Sequence, residues 1–474
     1  MSIGSILNMA RSGMNAQQAA IQTASQNISN AQTEGYSRQR VELVSALPTV
    51  FPNAIIGTGV SVVGITRARD TLLDATFRSD SSGAATADTT RAALSQIQSV
   101  FGEPSDHGLA AALDGFWSAW SSLSTDPTNS GAKSVVRATG AHVASTLNNF
   151  AVQLDQLDQS NRVSMNADVQ QLNGVLTQVA QYNQQIISSE SSGNSANDLR
   201  DARDKLLDQV SKMAGGQVVQ RSNGSAAVYL AGRAVVDAST VLQLQMNTGQ
   251  PPTVSFSGST TQIVGLGGSL RAQLDISSNR IPTVMARLDA LASGLVQTVN
   301  AIHSAGTLFT GSPPVSSAAG NFFDVTSPAP AGVDPLQTAR GIRLAATLTG
   351  ADAVAAAGAG AAGPGNNAAV LALAGLRTTA VSLTLPSGPA TATIGDFFNA
   401  TVGDVATATK QAEDDSAVQT TLASSASARR QSVSGVSTDE ELISVIQHQH
   451  AYQAAARLVN VVNEMTQVLV DLGR

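Results

Sequence analysis

The chain has 474 residues and a formal net charge of -7, with 42% hydrophobic, only 13% charged and only 4% aromatic residues. At roughly 100–200 residues per domain this leaves room for two to four domains, with cores of Ala, Val and Leu more than of aromatics. The acidic balance, with no Lys/Arg run beyond Arg429–Arg430, argues against nucleic acid as a partner; the lack of cysteine excludes disulfides and thiolate sites; and no stretch reaches the roughly 18 apolar residues of a membrane span.

The N-terminus lacks the basic region and continuous apolar core of a signal peptide, so export needs a route without a cleaved signal. Ile3, Leu7, Ala10, Met14, Ile21, Ala24 and Ile28 recur at spacings of four and three, broken only by Gln17, and predict an amphipathic helix with a heptad seam. It is expected to end at Asn27–Asn30, since Asn tolerates the left-handed conformation and Gly35 follows. From Gly35 to about Ile65 the pattern changes to extended chain with hairpins, punctuated by Pro48, Pro52 and Gly57-Thr58-Gly59.

Helical periodicity then returns through Leu72, Phe77, Leu94, Ile97 and Phe101, and again through Leu109, Leu113, Phe116, Trp120 and Leu123 up to Asp126–Pro127. The longest pattern runs from Val136 to Ile186; Gly140 and Gly174 weaken it by about 1 kcal/mol each without ending it. A further helix around Leu199–Met213 carries the i,i+4 pairs Arg200–Asp204 and Asp201–Lys205, and Gly215–Gly216 caps it. Residues 214–280 read as an inserted β domain of short runs such as Val228-Tyr229-Leu230. A helix over Val284–His303 follows. Residues 306–393 read as irregular, with a strand near Gly341–Leu348, a low-complexity loop at Ala353–Gly365, a short helix near Asn367–Leu376 and a strand at Val381–Leu385. A helix from Ile394 to Arg430 precedes the last segment.

That last segment repeats the theme of the first. Ser437/Glu440 and Thr438/Glu441 are candidate capping boxes. Ala451, Ala454, Leu458, Val461, Met465, Val468 and Leu472 keep strict three-four spacing, and Leu442, Ile446, Val459, Val462 and Leu469 widen the stripe. Such an arc exceeds a two-stranded seam and needs several neighbours to bury it. The fold class is therefore mainly α with an inserted β domain: terminal helices (1–35 and 437–474) forming a coiled-coil layer, a helical-bundle domain (36–213, 281–305 and 394–436) and an outer all-β domain.

Reactive chemistry is sparse. No HExxH, Walker A, GxGxxG or GxSxG motif is expected to carry chemistry here, and no cofactor or metal is expected. His448 and His450 stand at i,i+2 and face different ways, so they read as solvated or interfacial. Asp439-Glu440-Glu441 opens a helix, where the dipole favours negative charge. Trp117 and Trp120 read as core. The chain reads as a structural subunit and not an enzyme.

The ends carry a resemblance. Ser12-Gly13-Met14-Asn15-Ala16 with Gln26-Asn27-Ile28-Ser29-Asn30, and Ser434-Gly435-Val436, Asp439-Glu440-Glu441, Gln449-His450-Ala451-Tyr452-Gln453-Ala454 and Ala456-Arg457, resemble the terminal signatures of the bacterial flagellar axial proteins. Gly35-Tyr36-Ser37-Arg38-Gln39-Arg40 is similar to the form found in the junction between hook and filament, where hook and rod subunits tend to have Gly-Phe-Lys. Asn197–Leu206, Val299–His303 and Asn321-Phe322-Phe323 also fit the junction branch. The resemblance implies an extracellular flagellar subunit, exported by the type III route. It would self-associate in a ring or tube between the hook protein and the next junction protein, with a cytoplasmic export chaperone on its C-terminal helix. The alternative is a hook or distal rod subunit. Polymerisation contacts are expected at Ile3, Leu7, Met14, Ile21, Ile28, Leu442, Ile446, Leu458, Val461, Met465, Val468 and Leu472. Asn27, Asn30, Gly35, Tyr36 and Arg38 are expected to form a hinge and subunit-contact segment.

Overall fold

A computed structural model describes residues 3–51, 54–311, 314–325 and 338–472. Pro52, Gly473, Arg474 and the 326–337 part of the irregular region lie outside the described residues.

Eleven α-helices are described. Helix α1 spans Ile3–Ser29. A twisted ribbon follows, pairing Gln39–Ser45 antiparallel with Val60–Arg67; Thr49–Phe51 and Ala54–Ile56 pair in its tip. Next come α2 (Thr71–Phe101), α3 (Leu109–Thr125), α4 (Ser130–Ser191) and α5 (Asn197–Ala214). The 62 residues of α4 make a rod about 93 Å long at 1.5 Å per residue. The insertion holds a four-stranded meander over 217–241 and a hairpin of Leu244–Asn247 with Thr253–Phe256. After it come α6 (Gly268–Asp275), a π-helical stretch Ile276–Arg280 and α7 (Ile281–His303). Small hairpins, α8 (Thr338–Gly341) and α9 (Ala368–Gly375) lead to α10 (Ile394–Ser434) and α11 (Thr438–Leu472).

Helix starts follow local chemistry. Asp70 accepts from Leu72 and Leu73 N–H, Asn129 from Ala132 N–H and Thr393 from Asp396 N–H, each satisfying a donor that the first turn leaves free.

Two apolar clusters result, and α4 runs through both. Its first half joins α3, α7, α9, α10 and the C-terminal half of α2 around Phe116, Trp120, Phe322, Phe323 and Phe398. Its second half joins α5 and the β insertion around Met165, Leu176, Leu207, Val228 and Val254. The insertion therefore has no core of its own: its strands close the side of α4 and α5. It also stops being β earlier than the composition indicates. Residues 268–280 are helical and continue into α7, because Gly267 and Gly268 end the strand region and the buried Leu270, Gln273, Ser277, Ile281 and Val284 follow at spacings of three and four. Gly140 is a packing requirement as well as a helix weakener, since a Cβ there would lie 2.6 Å from the Phe322 ring.

Helices α1 and α11 contribute to neither cluster. They lie antiparallel against each other, with Glu441 beside Asn27, His448 beside Gln17 and Ala455 beside Gly13. The ribbon covers another side of α1. Gly59, at φ +115, sits so close that a Cβ would meet the Ser12 Oγ at 2.3 Å.

Candidate functional site

The two ends meet through small residues. Helix α1 buries Ala10, Ala16, Ala20, Thr23, Ala24 and Asn27. On α11 the buried or half-buried positions include Glu441, Val445, His448, Ala455, Val459 and Val462, again at three-four spacing. This seam is one residue away from the expected one through Leu458, Val461 and Met465, a rotation of about 100°. Small side chains let the two helices approach closely, and Gln17, the break in the α1 heptad, meets the His448 Nδ1 at 2.6 Å. The wider stripe faces outward: Leu442, Ile446, Leu458, Val461, Met465, Val468 and Leu472 are about half exposed or more. On α1, Ile3, Leu7, Met14, Ile21 and Ile28 are half-buried. The pair alone thus leaves the larger apolar side chains uncovered.

The segment after α1 joins this pair to the body. Helix α1 ends without a left-handed Asn; among the described residues only Ala231 and Ala238 have positive φ outside glycine. Gly35, at φ +87, makes the turn instead. Residues 36–39 then run extended, so successive side chains alternate in direction. The Tyr36 hydroxyl donates to Asn27 Oδ1 at 2.9 Å. Ser37 donates from N and Oγ to Asp201 at 2.9 and 2.6 Å. Arg38 Nε donates to Glu441 at 2.6 Å, and one terminal nitrogen reaches Glu440 at 3.1 Å. The Gln39 side chain donates to Asp198 at 3.1 Å. Asn27 is fully buried and its amide is saturated: Nδ2 donates to Gln39 O and Glu441 Oε2, and Oδ1 accepts from Tyr36 and Gln39 N. Asn30 is more peripheral and bonds back to Gln26 O.

Below this strap lies an ionic cluster on α5. Asp201 and Asp204 receive Arg67 at 2.7 and 2.8 Å, and Arg69 binds Asp74 at 2.6 Å and lies 3.5 Å from Asp204. Asp208 receives Arg78 and Arg430 at 2.8 and 2.6 Å, and Arg430 also lies over the Phe77 ring. Arg203, fully buried, donates to Asn183, Gly224 O and Gln220. The expected pairs Arg200–Asp204 and Asp201–Lys205 give way to tertiary partners: Arg200 takes Glu190 and Lys205 takes Glu34. Each charge gains more from a fixed partner on another element than from a flexible neighbour one turn away. Burial opposes ionisation of Asp204, yet Arg69, Arg67, Arg78 and Arg203 hold its carboxyl below the usual carboxylate value. Burial pushes the Arg203 guanidinium down to about 10 against the pull of Asp204. Burial, with Asp198, Asp201 and Glu441 nearby, pushes the Tyr36 hydroxyl up to about 12, so it stays a donor.

The capping boxes form only in part. The Ser437 Oγ accepts from Glu440 N–H at 3.5 Å, but Glu440 and Glu441 turn to Arg38 instead of back to the helix start. Farther off, Asn300 accepts from the N–H of both Phe322 and Phe323, and His303 binds Gly320 O at 2.7 Å and accepts from Ala355 N–H. His303 is therefore a core residue, and burial lowers its pKa. Trp117 and Trp120 are buried in the core.

Among the described residues no group of three or more His, Asp or Glu is placed to hold a metal ion, and no helix is long and apolar enough to cross a membrane. Contrary to the expectation of no GxGxxG motif, Gly358-Ala359-Gly360-Ala361-Ala362-Gly363 matches the spacing of a dinucleotide-binding loop. It lies in turns without the preceding strand and directly following helix that such a loop needs.

Comparison with known proteins agrees with this architecture. Residues 94–323 match the model of the flagellar hook-associated protein FlgK helical domain. Residues 7–36 match the flagella basal body rod protein model, and 429–472 the flagellar basal body rod FlgEFG protein C-terminal model. A relative from Bacillus subtilis (strain 168), flagellar hook-associated protein 1, is 29% identical over 514 residues, covering 98% of this chain and 97% of its own. Over nearly its whole length the chain is similar to the flagellar hook-associated protein 1 family. The member from Escherichia coli (strain K12) is 26% identical over 75% of this chain and 66% of its own length. The solved structure of the flagellar hook junction protein FlgK from Burkholderia pseudomallei, at 18% identity, shares the fold with a TM-score of 0.66, over 76% of this chain and all of that one. Members of this family are flagellar structural proteins. Gly35–Arg40 and Asn197–Leu206, the two stretches that the sequence singles out for the junction branch, are here the two sides of one polar joint.

Proposed function

We propose that this chain is a structural subunit of the bacterial flagellum that polymerises at the hook–filament junction and has no catalytic role. The observation that carries the reading is the outward apolar face of α11, from Leu442 to Leu472, on a helix that its intramolecular partner covers only along a seam of small residues. Burying a large aliphatic side chain is worth about 1.5–3 kcal/mol. Several such side chains on one helix are a strong drive to associate. Leu458, Val461, Met465, Val468 and Leu472, with Leu442 and Ile446, are the contacts of α11 with neighbouring copies. Ile3, Leu7, Met14, Ile21 and Ile28 are those of α1. Head-to-tail contacts of this kind generate a ring or tube, with the hook protein on one side and the next junction protein on the other. Before assembly the same face is the surface for a cytoplasmic export chaperone. Export as an unfolded chain through the flagellar type III apparatus, without a cleaved signal, suits a cysteine-free sequence.

The test is electron microscopy of cells lacking the protein, which should show hooks without filaments; normal filaments would refute the junction reading. A chain lacking residues 437–474 should remain a folded, soluble monomer that does not assemble, because neither apolar cluster includes α11.

A further inference from the structure

Glu441 is almost fully buried although it belongs to α11, a helix whose other surfaces are largely exposed. Its two oxygens have partners on opposite sides of the joint: Arg38 on one and Asn27 on the other, at 2.6 and 3.0 Å. Asn27 in turn is saturated by Tyr36 and Gln39. The backbone N–H of Arg38 also donates to Ser434 O, at the end of α10, at 2.8 Å. The strap is fixed to the body from its other face by Ser37 on Asp201.

We propose that residues 36–39 are a two-sided clasp, closing on Glu441, that makes the docking of each chain end depend on the other. The inference rests on the structural role proposed above. A buried carboxylate without its partners is strongly unfavourable. The first turn of α11 can therefore settle on α1 only when Arg38 and the Asn27 amide are in place. Conversely, Asn27 keeps its full set of bonds only when Glu441 arrives. The dependence is mutual, so the ends add or leave as one unit and sit at one angle to the body. The strap is thereby a positioning element and not a free hinge.

Two experiments on the full chain decide this. Limited proteolysis of the purified protein reads the coupling: Glu441→Ala should speed cleavage within residues 3–29 as well as within 438–472. Faster cleavage confined to α11, or none, overturns the proposal. In cells, R38E and E441R should each lose filament retention under shear at unchanged amounts of exported protein, and the double variant R38E/E441R should regain part of it, because the swap restores the ion pair but not the acceptor for the Asn27 amide. Single variants that retain filaments, or a double variant that regains none of it, overturn the clasp. Arg91→Glu, which removes an exposed pair with Asp88, is the control and should behave as wild type. The chain lacking residues 437–474 separates the two readings: if it fails while the clasp variants succeed, the clasp alone is wrong; if it too supports filaments, the assembly reading is wrong.

Discussion

The helical body and the terminal pair are both made of long helices, yet they are packed by opposite rules. The body closes on itself. Phe116, Trp120, Phe322, Phe323 and Phe398 are essentially inaccessible, and rings meet edge-on or tilted, as Phe322 does with Phe323 at 4.8 Å and with Trp120 at 5.5 Å. The terminal pair closes on alanine, valine and a few polar contacts, and large aliphatic side chains of α11 face out. A body with its own aromatic core folds as a unit; the terminal pair keeps apolar surface on its outside. On the proposed role, the difference separates stability from assembly within one chain.

That separation can be broken or sharpened by substitution. The largest loss of stability is expected in the body: Phe322→Ala should cost about 3–5 kcal/mol, read by denaturant unfolding. Next comes the ionic cluster. Asp204→Ala leaves Arg67 and Arg69 buried against less charge and should cost about 3–5 kcal/mol at neutral pH, the lower end if the strap relaxes. Gly140→Val forces a methyl group into the Phe322 ring and should cost about 1–3 kcal/mol.

Acid should act in two steps. The folded pKa of His303 is below its ordinary 6.5, so the stability it contributes is complete above that value and declines as pH falls towards the folded value. Hydrogen exchange around Gly320 and Ala355 should report this first. Asp204 is held below its ordinary 3.8, so its contribution is complete above that value and is lost only as pH falls through the folded value. Asp204→Ala should weaken the second step, to which Asp275 also contributes, and keep the first. The smallest stability effect is expected on α11: Leu458→Ser or Val468→Ser should change unfolding by less than about 0.5 kcal/mol while abolishing assembly, measured by sedimentation with and without partner proteins. A large stability loss there would erase the contrast between the two regions.

Much of the fold is legible in one dimension. Periodicity places α1, α4, α10 and α11, because a continuous three-four pattern over many turns has few other meanings. It also identifies Val381–Leu385 as a strand by its alternation, which the structure pairs with Gly388–Ala392. Helix-to-strand boundaries are less legible: residues 268–280 contain Gly, Ser and Asn that read as turns, yet the side of α4 supplies the contacts, such as Asn161 on Ser277 and on Gln273 O, that hold them helical. The joint is legible as residues but not as a site. Gly35–Arg40 and Asn197–Leu206 lie more than a hundred and fifty residues apart, and nothing local says that Ser37 meets Asp201.

The sequence by itself determines that the two ends are amphipathic helices with more apolar surface than one partner can cover, since that follows from side-chain type and helical period alone. Which residues form the seam between them is decided by tertiary structure. The Ala-rich face allows the closest approach, and Asn27, Arg38 and Glu441 fix the rotation of α11, turning Leu458, Val461 and Met465 outward. The same holds for Arg200, Asp201, Asp204 and Lys205: their spacing allows pairing along one helix, but fixed partners on other elements take each of them.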